Sequence, residues 1–255
     1  MTLVVPARAK INLDLAVVAR APDGFHEVRT HMQAVALHDL LELTRADHTT
    51  MTTSGFNVPT ATGNSILKAH AAMQEAAGRA LPTRFHLDKH IPPGSGMGGA
   101  SSDAAASLKG LAALHQVDTN LSTIAAKIGA DVPFFLTGGA ALAEGRGERL
   151  TALPTQHAWF AIAWPGIELL TAAVYRAWDE VKGDGPNQLR KAAGHLEPRV
   201  DEFAVGLGQE WQMTGSGSAF FRRCHDAQAA EQAAHEASAK HDCWTAVTRA
   251  VGAWT

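Results

Sequence analysis

Apolar and polar positions alternate over several short stretches of the first half of the chain, which is the period of a strand with one buried face. Residues 13–17 alternate in this way and run into a turn signal, Pro-Asp-Gly, at residues 22–24. Residues 33–45 repeat the pattern, and so do residues 85–91 before two consecutive prolines. The pattern therefore predicts strands at three places before residue 92.

Five further stretches have the 3.6-residue spacing or the composition of helices. The predicted helices are residues 64–77, the alanine-rich segment from Ser101, residues 121–128, residues 171–182 and residues 226–240. Gly129 is expected to end the third of these helices. A glycine-rich segment before Ser101 is thus predicted to lie between a strand and the N-terminus of a helix.

A second glycine-rich and charged stretch, GRGER at residues 145–149, comes before a new predicted strand at residues 159–164. Segments between domains often have this composition. A chain of 255 residues is long enough for two domains of ordinary size. We therefore predict an N-terminal domain of residues 1–150 and a C-terminal domain of residues 151–255.

The composition is that of a globular protein, with 46% hydrophobic residues, 18% charged residues and a net charge of -3. Lysine and arginine form no basic run, so neither nucleic acid nor a membrane surface is expected as a partner. Cys224 and Cys243 are too few for a disulfide framework and lack C-x-x-C spacing, so a reducing cytoplasm is the expected location. The first twenty residues carry charges within their apolar stretch, unlike a signal peptide or a membrane span.

The segment PPGSGMGGASS, residues 92–102 and called the glycine loop below, nearly fits two phosphate-binding motifs. Gly94, Gly96 and Gly99 satisfy G-x-G-x-x-G, and the same stretch fits a P-loop except that Ala100 stands where lysine is needed. Glycines let a phosphate approach backbone N–H groups, and the following helix adds its dipole. The alternative is a tight turn that serves packing alone, but so many glycines before a helix favour an anion site.

Neither of the two standard motifs accounts for the glycine loop. A dinucleotide-binding strand is normally apolar throughout, whereas RFHLDKHI alternates and is followed by Pro92 and Pro93. A P-loop brings its own lysine to the transferred phosphate, which Ala100 cannot replace. The positive charge must therefore come from another part of the chain.

Three separated segments together resemble the motifs of the GHMP kinases, the superfamily of galactokinase, homoserine kinase and mevalonate kinase. They are PARAKINLDL, PPGSGMGGASSDAA and TGSGSAFF, in that order along the chain. The segments RAPDGFHEVRT, IGADVPFFL and AEGRGE extend the resemblance to the branch whose substrate is a cytidine diphosphate-linked methylerythritol. It implies an α+β, two-domain fold, with an N-terminal α/β domain, a smaller ferredoxin-like C-terminal domain and the active site between them.

The same resemblance implies transfer of the γ-phosphate of ATP, with Mg²⁺, to the 2-hydroxyl of that small-molecule substrate in non-mevalonate isoprenoid synthesis. The implied catalytic residues are Lys10 and Asp131. The implied ATP-binding residues are Asn64, Pro92, Pro93, Gly94, Ser95, Gly96, Met97, Gly98, Gly99, Ala100, Ser101 and Ser102. The implied substrate-binding residues are Asn12, Phe25, His26, Thr171 and Tyr175, where Phe25 stands in place of the tyrosine that the family often has. Neither the metal ligands nor the oligomeric state is implied.

The chemistry of phosphoryl transfer suits these residue types. A carboxylate such as Asp131 can accept the proton of the attacking hydroxyl, and Lys10 can hold the γ-phosphate and so supply the charge that the glycine loop lacks. Each residue also has a simpler interpretation: Asp131 as a helix N-cap, Lys10 as an edge-strand charge, and Phe25 and Tyr175 as core aromatics.

Other functions remain open alongside this one. The alternatives are another GHMP-type kinase, of the homoserine or mevalonate type, a nucleotide-binding protein without catalysis, and a dinucleotide-dependent oxidoreductase. Zinc is not expected, because His26, Glu27 and His31 spell H-E-x-x-x-H, which on a helix would turn the two imidazoles apart by roughly 140°.

Overall fold

The computed structural model describes residues 1–254 of the chain as eleven strands and eight helices. The strands are β1 (Thr2–Asn12), β2 (Ala16–Arg20), β3 (His26–Arg45), β4 (Thr50–Gly55), β5 (Thr83–Lys89), β6 (Ala140–Gly145), β7 (Arg149–Leu153), β8 (Trp159–Trp164), β9 (Gln212–Met213), β10 (Phe220–Cys224) and β11 (Trp244–Arg249). The helices are α1 (Ser65–Ala77), α2 (Gly99–His115), α3 (Leu121–Ile128), α4 (Phe134–Thr137), α5 (Thr171–Val181), α6 (Arg190–Leu196), α7 (Pro198–Leu207) and α8 (Ala227–Lys240).

The chain divides into two compact units that alternate along the sequence. Unit 1 comprises Met1–Ala9, His38–Pro93 and Gly98–Thr137. Unit 2 comprises Lys10–Leu37, Gly94–Met97 and the chain from Gly138 onward. Strands β1 and β3 each contribute residues to both units. The single domain boundary near residue 150 stays a prediction.

Unit 1 is built on strands β3, β4 and β5 with helices on the sheet. The second half of β3 pairs antiparallel with β5, which pairs parallel with β4. Leu41, Leu43 and Phe85 are fully buried, because every second side chain of these strands points to the helices. Helix α2 approaches closely: a Cβ added to Gly110 would lie 2.6 Å from Leu43 Cδ1. A bare backbone at that point lets the helix that follows the glycine loop pack on the sheet.

Unit 2 contains two antiparallel sheets. The first half of β3 pairs with β2 and β6, and β6 pairs with β7. The second sheet has the order β11-β8-β10-β9, with α5 to α7 inserted between β8 and β9 and α8 between β10 and β11. That order and that β-α-β-β-α-β succession define a ferredoxin-like sheet. Its strands span residues 159–249, within the predicted C-terminal half.

Residues 248–251, near the end of the described chain, form hydrogen bonds with β3 in unit 2. Gln33 Nε2 donates to the carbonyl oxygens of Val251 (3.0 Å) and Ala34 (2.8 Å), and Leu37 N donates to Thr248 Oγ1 (2.8 Å). The bonds to Val251 and Thr248 join residues more than two hundred positions apart, at a point where the Gln33 side chain is buried.

Among residues 1–254, five of the eight helices lie at predicted positions, whereas α4, α6 and α7 were not predicted. The N-terminal strands were predicted less well. Helix α3 and strand β8 have the predicted bounds, and Gly129 is the C-cap of α3. The strand predicted at residues 13–17 is wrong in its bounds, because β1 ends at Asn12 and β2 begins at Ala16. Between them, the Asp14 side chain binds His31. Within residues 1–254 no helix is both long and apolar enough to cross a membrane.

Candidate active site

The glycine loop turns four consecutive carbonyl groups toward protein donors in unit 2. Those of Gly94 and Ser95 accept hydrogen bonds from Leu169 N (3.1 Å) and Ala219 N (3.0 Å), respectively. Those of Gly96 and Met97 both accept from one lysine, Lys10, through Nζ (2.7 Å) and the backbone N (3.0 Å), respectively. The C=O and N–H of a trans peptide point in opposite directions. The N–H group of each of these peptides therefore points away from the donor that binds its carbonyl oxygen.

Glycine is required in this loop by backbone conformation as well as by space. Gly94, Gly96 and Gly98 have φ values of 61°, 80° and 73°, in the region that residues with a Cβ rarely adopt. A Cβ on Gly96 would lie 2.3 Å from the carbonyl oxygen of Thr214, a backbone atom that cannot swing aside. The loop and the segment 214–217 can therefore meet only as bare backbone.

Helix α2, in unit 1, begins at Gly99 within the glycine loop, with Gly98 as its N-cap and no side chain capping its first N–H groups. The first turn of a helix leaves its N–H groups without partners in the helix, and the dipole places a partial positive charge there. The N-terminus of α2 thus carries donors of the kind that hold phosphate at helix starts.

Lys10 is buried at the end of β1, with 4% of its surface exposed. Besides Gly96 O, its ammonium donates to Asn12 Oδ1, and Asn12 Nδ2 donates in turn to Thr30 Oγ1 (2.7 Å). Asn12 N donates to Thr214 Oγ1 (2.8 Å). Lys10 is thus held beside the glycine loop and is not an edge-strand charge pointing to solvent.

The three sequence motifs meet around Lys10. A Cβ built on Gly215 would lie 2.6 Å from Gly96 O, 3.0 Å from Lys10 Nζ and 3.1 Å from Asn12 Oδ1. Asn187, which the sequence did not single out, fixes the third motif by donating from Nδ2 to the carbonyl oxygens of Met213 (2.8 Å) and Gly215 (2.9 Å). The unit 2 residues of the three motifs, Lys10 and Asn12, Gly96, and Gly215, therefore meet at one point.

Asp131 lies in unit 1, half-buried in the turn between α3 and α4. Val132 N donates to Gly129 O (3.1 Å), which makes the turn tight. The residue directly before α4 is Pro133, so Asp131 is not at the N-cap position of that helix. Its catalytic role stays a prediction.

Asn64, predicted near the adenine pocket, is the N-cap of α1 in unit 1. Its Oδ1 accepts from Ile66 N (2.8 Å), and its Nδ2 donates to the Pro59 carbonyl oxygen (2.7 Å). This side chain therefore has a structural task in the fold, and a contact with adenine stays a prediction.

Phe25 stands on the turn before β3 and exposes 56% of its surface. The Arg146 guanidinium lies over one face of the ring, 4.1 Å from its centroid, and pairs with Asp23 on the same turn. Phe25 is therefore an exposed ring backed by a cation and not a core aromatic. Arg146 was missed as a contact of Phe25 because the two lie far apart in sequence.

His26 and Tyr175 pack on each other. Their rings are stacked with centroids 5.1 Å apart, and Trp178 meets the His26 ring edge-on at 5.6 Å. His26 Nε2 lies 2.8 Å from Asp179 Oδ1. The predicted use of His26 to read the edge of a base would thus fall to its other nitrogen or to its backbone, and Tyr175 supports the His26 ring.

Thr171 is the first residue of α5, and its Oγ1 lies 3.0 Å from Ser216 Oγ. This places it beside the TGSGS segment of unit 2.

Asp14 and His31 form a contact that the sequence analysis did not predict, with His31 Nδ1 2.6 Å from Asp14 Oδ2. Thr30 Oγ1 donates to Asp14 O (2.5 Å), which links the pair to Asn12.

Comparison with known proteins agrees with this geometry. Residues 64–139 match the family model described as the GHMP kinases N-terminal domain. A 4-diphosphocytidyl-2-C-methyl-D-erythritol kinase of Caldicellulosiruptor bescii is 41% identical over 208 residues, which are 79% of this chain and 73% of the relative. A crystal structure of 4-(cytidine 5'-diphospho)-2C-methyl-D-erythritol kinase superposes with a TM-score of 0.82 at 32% identity, covering 98% of this chain and 100% of the other.

A homoserine kinase of Cytophaga hutchinsonii also superposes, with a TM-score of 0.71 at 18% identity, covering 99% of this chain and 95% of the other, and shares the fold. The fold, the glycine loop and the family match define the class as the GHMP kinases, which are ATP-dependent phosphotransferases. Within that class, the chain belongs to the 4-diphosphocytidyl-2-C-methyl-D-erythritol kinase family. The predicted fold class and family resemblance are confirmed.

The His26–Asp179 contact should make stability depend on acid pH. The hydrogen bond from His26, followed by the charges of His26, Arg20 and Lys182, lowers the pKa of Asp179 below its ordinary value. A lowered folded-state pKa gives stability that is present above the unfolded carboxyl pKa of about 4 and is lost as the pH falls through the folded value. Between pH 7 and pH 3, the free energy of unfolding should therefore fall less in Asp179→Asn than in the wild type.

Denaturant unfolding at a series of pH values measures this difference. Asp184→Asn, a change at an exposed aspartate close by, is the matched control and should keep the wild-type pH dependence. Equal pH dependence in Asp179→Asn and Asp184→Asn would contradict the assignment.

Proposed function

We propose that the protein transfers the γ-phosphate of ATP to the 2-hydroxyl of 4-diphosphocytidyl-2-C-methyl-D-erythritol, a step of non-mevalonate isoprenoid precursor synthesis. The observation that carries the proposal is the Lys10 ammonium, 2.7 Å from the Gly96 carbonyl of a loop that has no cation of its own. Membership of the kinase family supports the choice of substrate, because its named members carry that substrate in their names.

Lys10 would act on the transferred phosphate. Charge spreads over the equatorial oxygens of the phosphoryl group during transfer, and a fixed cation stabilises it without reorganising. The bonds from Lys10 to Asn12 and Gly96 hold the ammonium in one place before ATP arrives. Lys10 would thereby perform the task of the lysine that a P-loop carries at the position of Ala100.

Asp131 would accept the proton of the attacking hydroxyl. A carboxylate can take this proton late in transfer, once the oxygen has begun to bond to phosphorus. The short turn between α3 and α4 restricts the backbone that carries Asp131. A positioned general base of this kind contributes typically about 10²- to 10⁴-fold to a rate.

ATP would bind as its magnesium complex. No group of three or more His, Cys, Asp or Glu residues that could hold a metal occurs among residues 1–254. Mg²⁺ commonly keeps several waters and is held largely by the phosphates of its nucleotide. Backbone N–H groups would hold the phosphates, and the phosphates would hold the metal. The metal would therefore enter and leave with the nucleotide.

The cytosine base would stack on Phe25, on the face that Arg146 does not cover. A planar base gains binding free energy by stacking on an aromatic face, and the exposed Phe25 ring provides such a face. His26 follows Phe25 along the chain, and Tyr175 stacks on the His26 ring. These two residues, together with Asn12 and Thr171, would complete the substrate site.

The direct test is ATP turnover with the cytidyl substrate beside mevalonate and homoserine at equal concentration. Turnover confined to the cytidyl substrate is expected. Preferential turnover of homoserine or mevalonate would replace the proposal with another kinase of the same superfamily, and ATP binding without turnover of any of them would leave only nucleotide binding.

Asp131→Asn should lower kcat by roughly 10²-fold or more while ATP binding stays within about twofold, because only the acid–base function is removed. Asparagine keeps the shape of the side chain, so a structural role would leave kcat unchanged. Single-turnover kinetics and ATP titration on the same preparation separate the two interpretations.

Phe25→Ala should raise KM for the cytidyl substrate roughly 5- to 150-fold, since base stacking is worth about 1–3 kcal/mol. KM for ATP should hardly move, and stability should stay within about 0.5 kcal/mol because the ring is exposed. Arg146→Met removes the cation and keeps a long side chain, so it should raise the same KM only about 2- to 5-fold. A rise in KM for ATP instead would show that Phe25 serves the adenine.

A further inference from the structure

Unit 1 contains a buried ionic cluster that takes no part in the mechanism above. Lys89 Nζ donates to Asp39 Oδ2 at 2.5 Å and to Asp103 Oδ2 at 3.0 Å. The three side chains expose 3%, 0% and 4% of their surface, respectively. These residues are called the Lys89 cluster. Replacing such a cluster by apolar residues often stabilises a protein, so its presence suggests a role other than stability.

Each member of the cluster is connected to the segments on either side of residues 92–98 of the glycine loop. Lys89 ends β5, and Asp103 is the fifth residue of α2. Asp39, in β3, accepts at Oδ1 from the backbone N of His90 (2.6 Å) and of Ile91 (2.7 Å), the two residues that lead into the loop. The cluster therefore joins the backbone just before the loop to the helix just after it.

The start of α2 lies directly against the cluster. A Cβ added to Gly99, the first helical residue, would be 2.7 Å from Lys89 Nζ and 3.1 Å from Ile91 Cγ2. No side chain larger than hydrogen fits there without moving the ammonium or the isoleucine. The position of the first N–H groups of α2 is thus set by contact with Lys89.

The cluster holds one cation and two carboxylates, so the two acids are not equivalent. Asp39 receives two backbone N–H groups in addition to Lys89, whereas Asp103 Oδ1 is buried without a hydrogen-bond partner among residues 1–254. Burial, opposed by Lys89 and aided by the charge of Asp39, raises the pKa of Asp103 to about 7. Burial by itself would lower the pKa of Lys89, but the two carboxylates outweigh it and raise that pKa.

Among residues 1–254, two charged side chains act on Asp103 from the packed elements. The charges that act on it are Lys89 of β5 and Asp39 of β3. Helix α1 packs on α2, and its buried His70 binds the carbonyl oxygen of Leu81 at 2.8 Å. A proton on Asp103 would leave the cluster neutral, and its loss would leave one net negative charge near the N-terminus of α2.

We propose that the Lys89 cluster positions the start of α2 for the phosphates of ATP, and that loss of the proton shared within it, on Asp103, weakens ATP binding. The inference rests on ATP binding at the glycine loop, as proposed above. Lys89, Asp39 and Asp103 act through the backbone and do not touch the nucleotide. A net negative charge beneath the helix start competes with phosphate for the same N–H groups and dipole. The neutral cluster therefore favours ATP.

Asp103→Asn tests the proton. Asparagine keeps an oxygen for Lys89 and places an NH₂ group where Oδ1 lacks a partner. The affinity for ATP is measured by calorimetric titration from pH 6 to pH 9. Across this range the affinity of the wild type should fall roughly fivefold more than the affinity of Asp103→Asn, a factor at the lower end of coupling between two sites. Titration of the nucleotide itself is common to both proteins and cancels in the ratio. Asp88→Asn, at an aspartate next to Lys89 on β5 outside the cluster, should follow the wild type.

A second readout needs no ATP. A folded state that holds a proton on Asp103 up to about pH 7 loses stability as the pH rises from the unfolded carboxyl pKa of about 4 to that value, because the unfolded chain binds fewer protons there. The free energy of unfolding of Asp103→Asn should lack this decline. Identical profiles of stability and of ATP affinity in the two proteins would overturn the role of the proton.

Asp103→Leu tests positioning, since it removes the tether to α2 without leaving an unpaired acid. Its ATP affinity should fall at least tenfold with kcat at saturation changed less than threefold, and Asp103→Asn should retain most of the affinity. Wild-type affinity in Asp103→Leu would overturn the positioning role; should that variant not fold, the profiles of Asp103→Asn decide. Gly98→Val tests separately whether ATP binds at the glycine loop. Normal ATP binding by Gly98→Val would show that the loop is not the nucleotide site. Loss of ATP binding in Gly98→Val together with normal binding by Asp103→Leu would reject only the role of the cluster.

Discussion

Four consecutive carbonyl groups, from Gly94 to Met97, accept hydrogen bonds from the protein, and the candidate site depends on this constraint. With the carbonyls engaged, the amide N–H groups must face the other way. No side chain can be tolerated where Gly96 meets Thr214, so the loop cannot carry its own cation at that point. The requirement for a lysine on another strand follows, and Lys10 meets it from the end of β1.

The two buried lysines each fix a different part of the framework. Lys10 donates to the oxygens of Asn12 and Gly96, which orient its ammonium group beside the glycine loop. Lys89 is bound by two carboxylates, which more than balance its charge. Lys10 thereby fixes its own position next to the loop backbone, whereas Lys89 ties β5 to β3 and α2.

Local patterns predicted helices α1, α2, α3, α5 and α8 and the glycine-rich turn at residues 92–102, because capping, helical spacing and backbone conformation are encoded within a few residues. Strand β3 was predicted only from residue 33, since His26 to Met32 includes charged residues whose partners lie elsewhere in the chain. The same limit explains the pairs that were missed. Arg146 over Phe25, Asp179 on His26 and Asp39 on Lys89 join residues at least fifty positions apart, and no local periodicity records such a contact. The family resemblance pointed to Lys10, which lies beside the loop, but the spacing of the motifs could not give the contacts that hold it.

The bonds between β3 and residues 248–251 can form only late in the synthesis of the chain. Gln33 and its partner Val251 are 218 residues apart, so at synthesis rates of about 5–20 residues per second Gln33 leaves the ribosome roughly 10–40 s before its acceptor exists. During that interval water or a chaperone must take the place of the Val251 carbonyl as a partner of the Gln33 amide. The central strand of the protein is thus among the first parts to be made and among the last to reach its final hydrogen bonds.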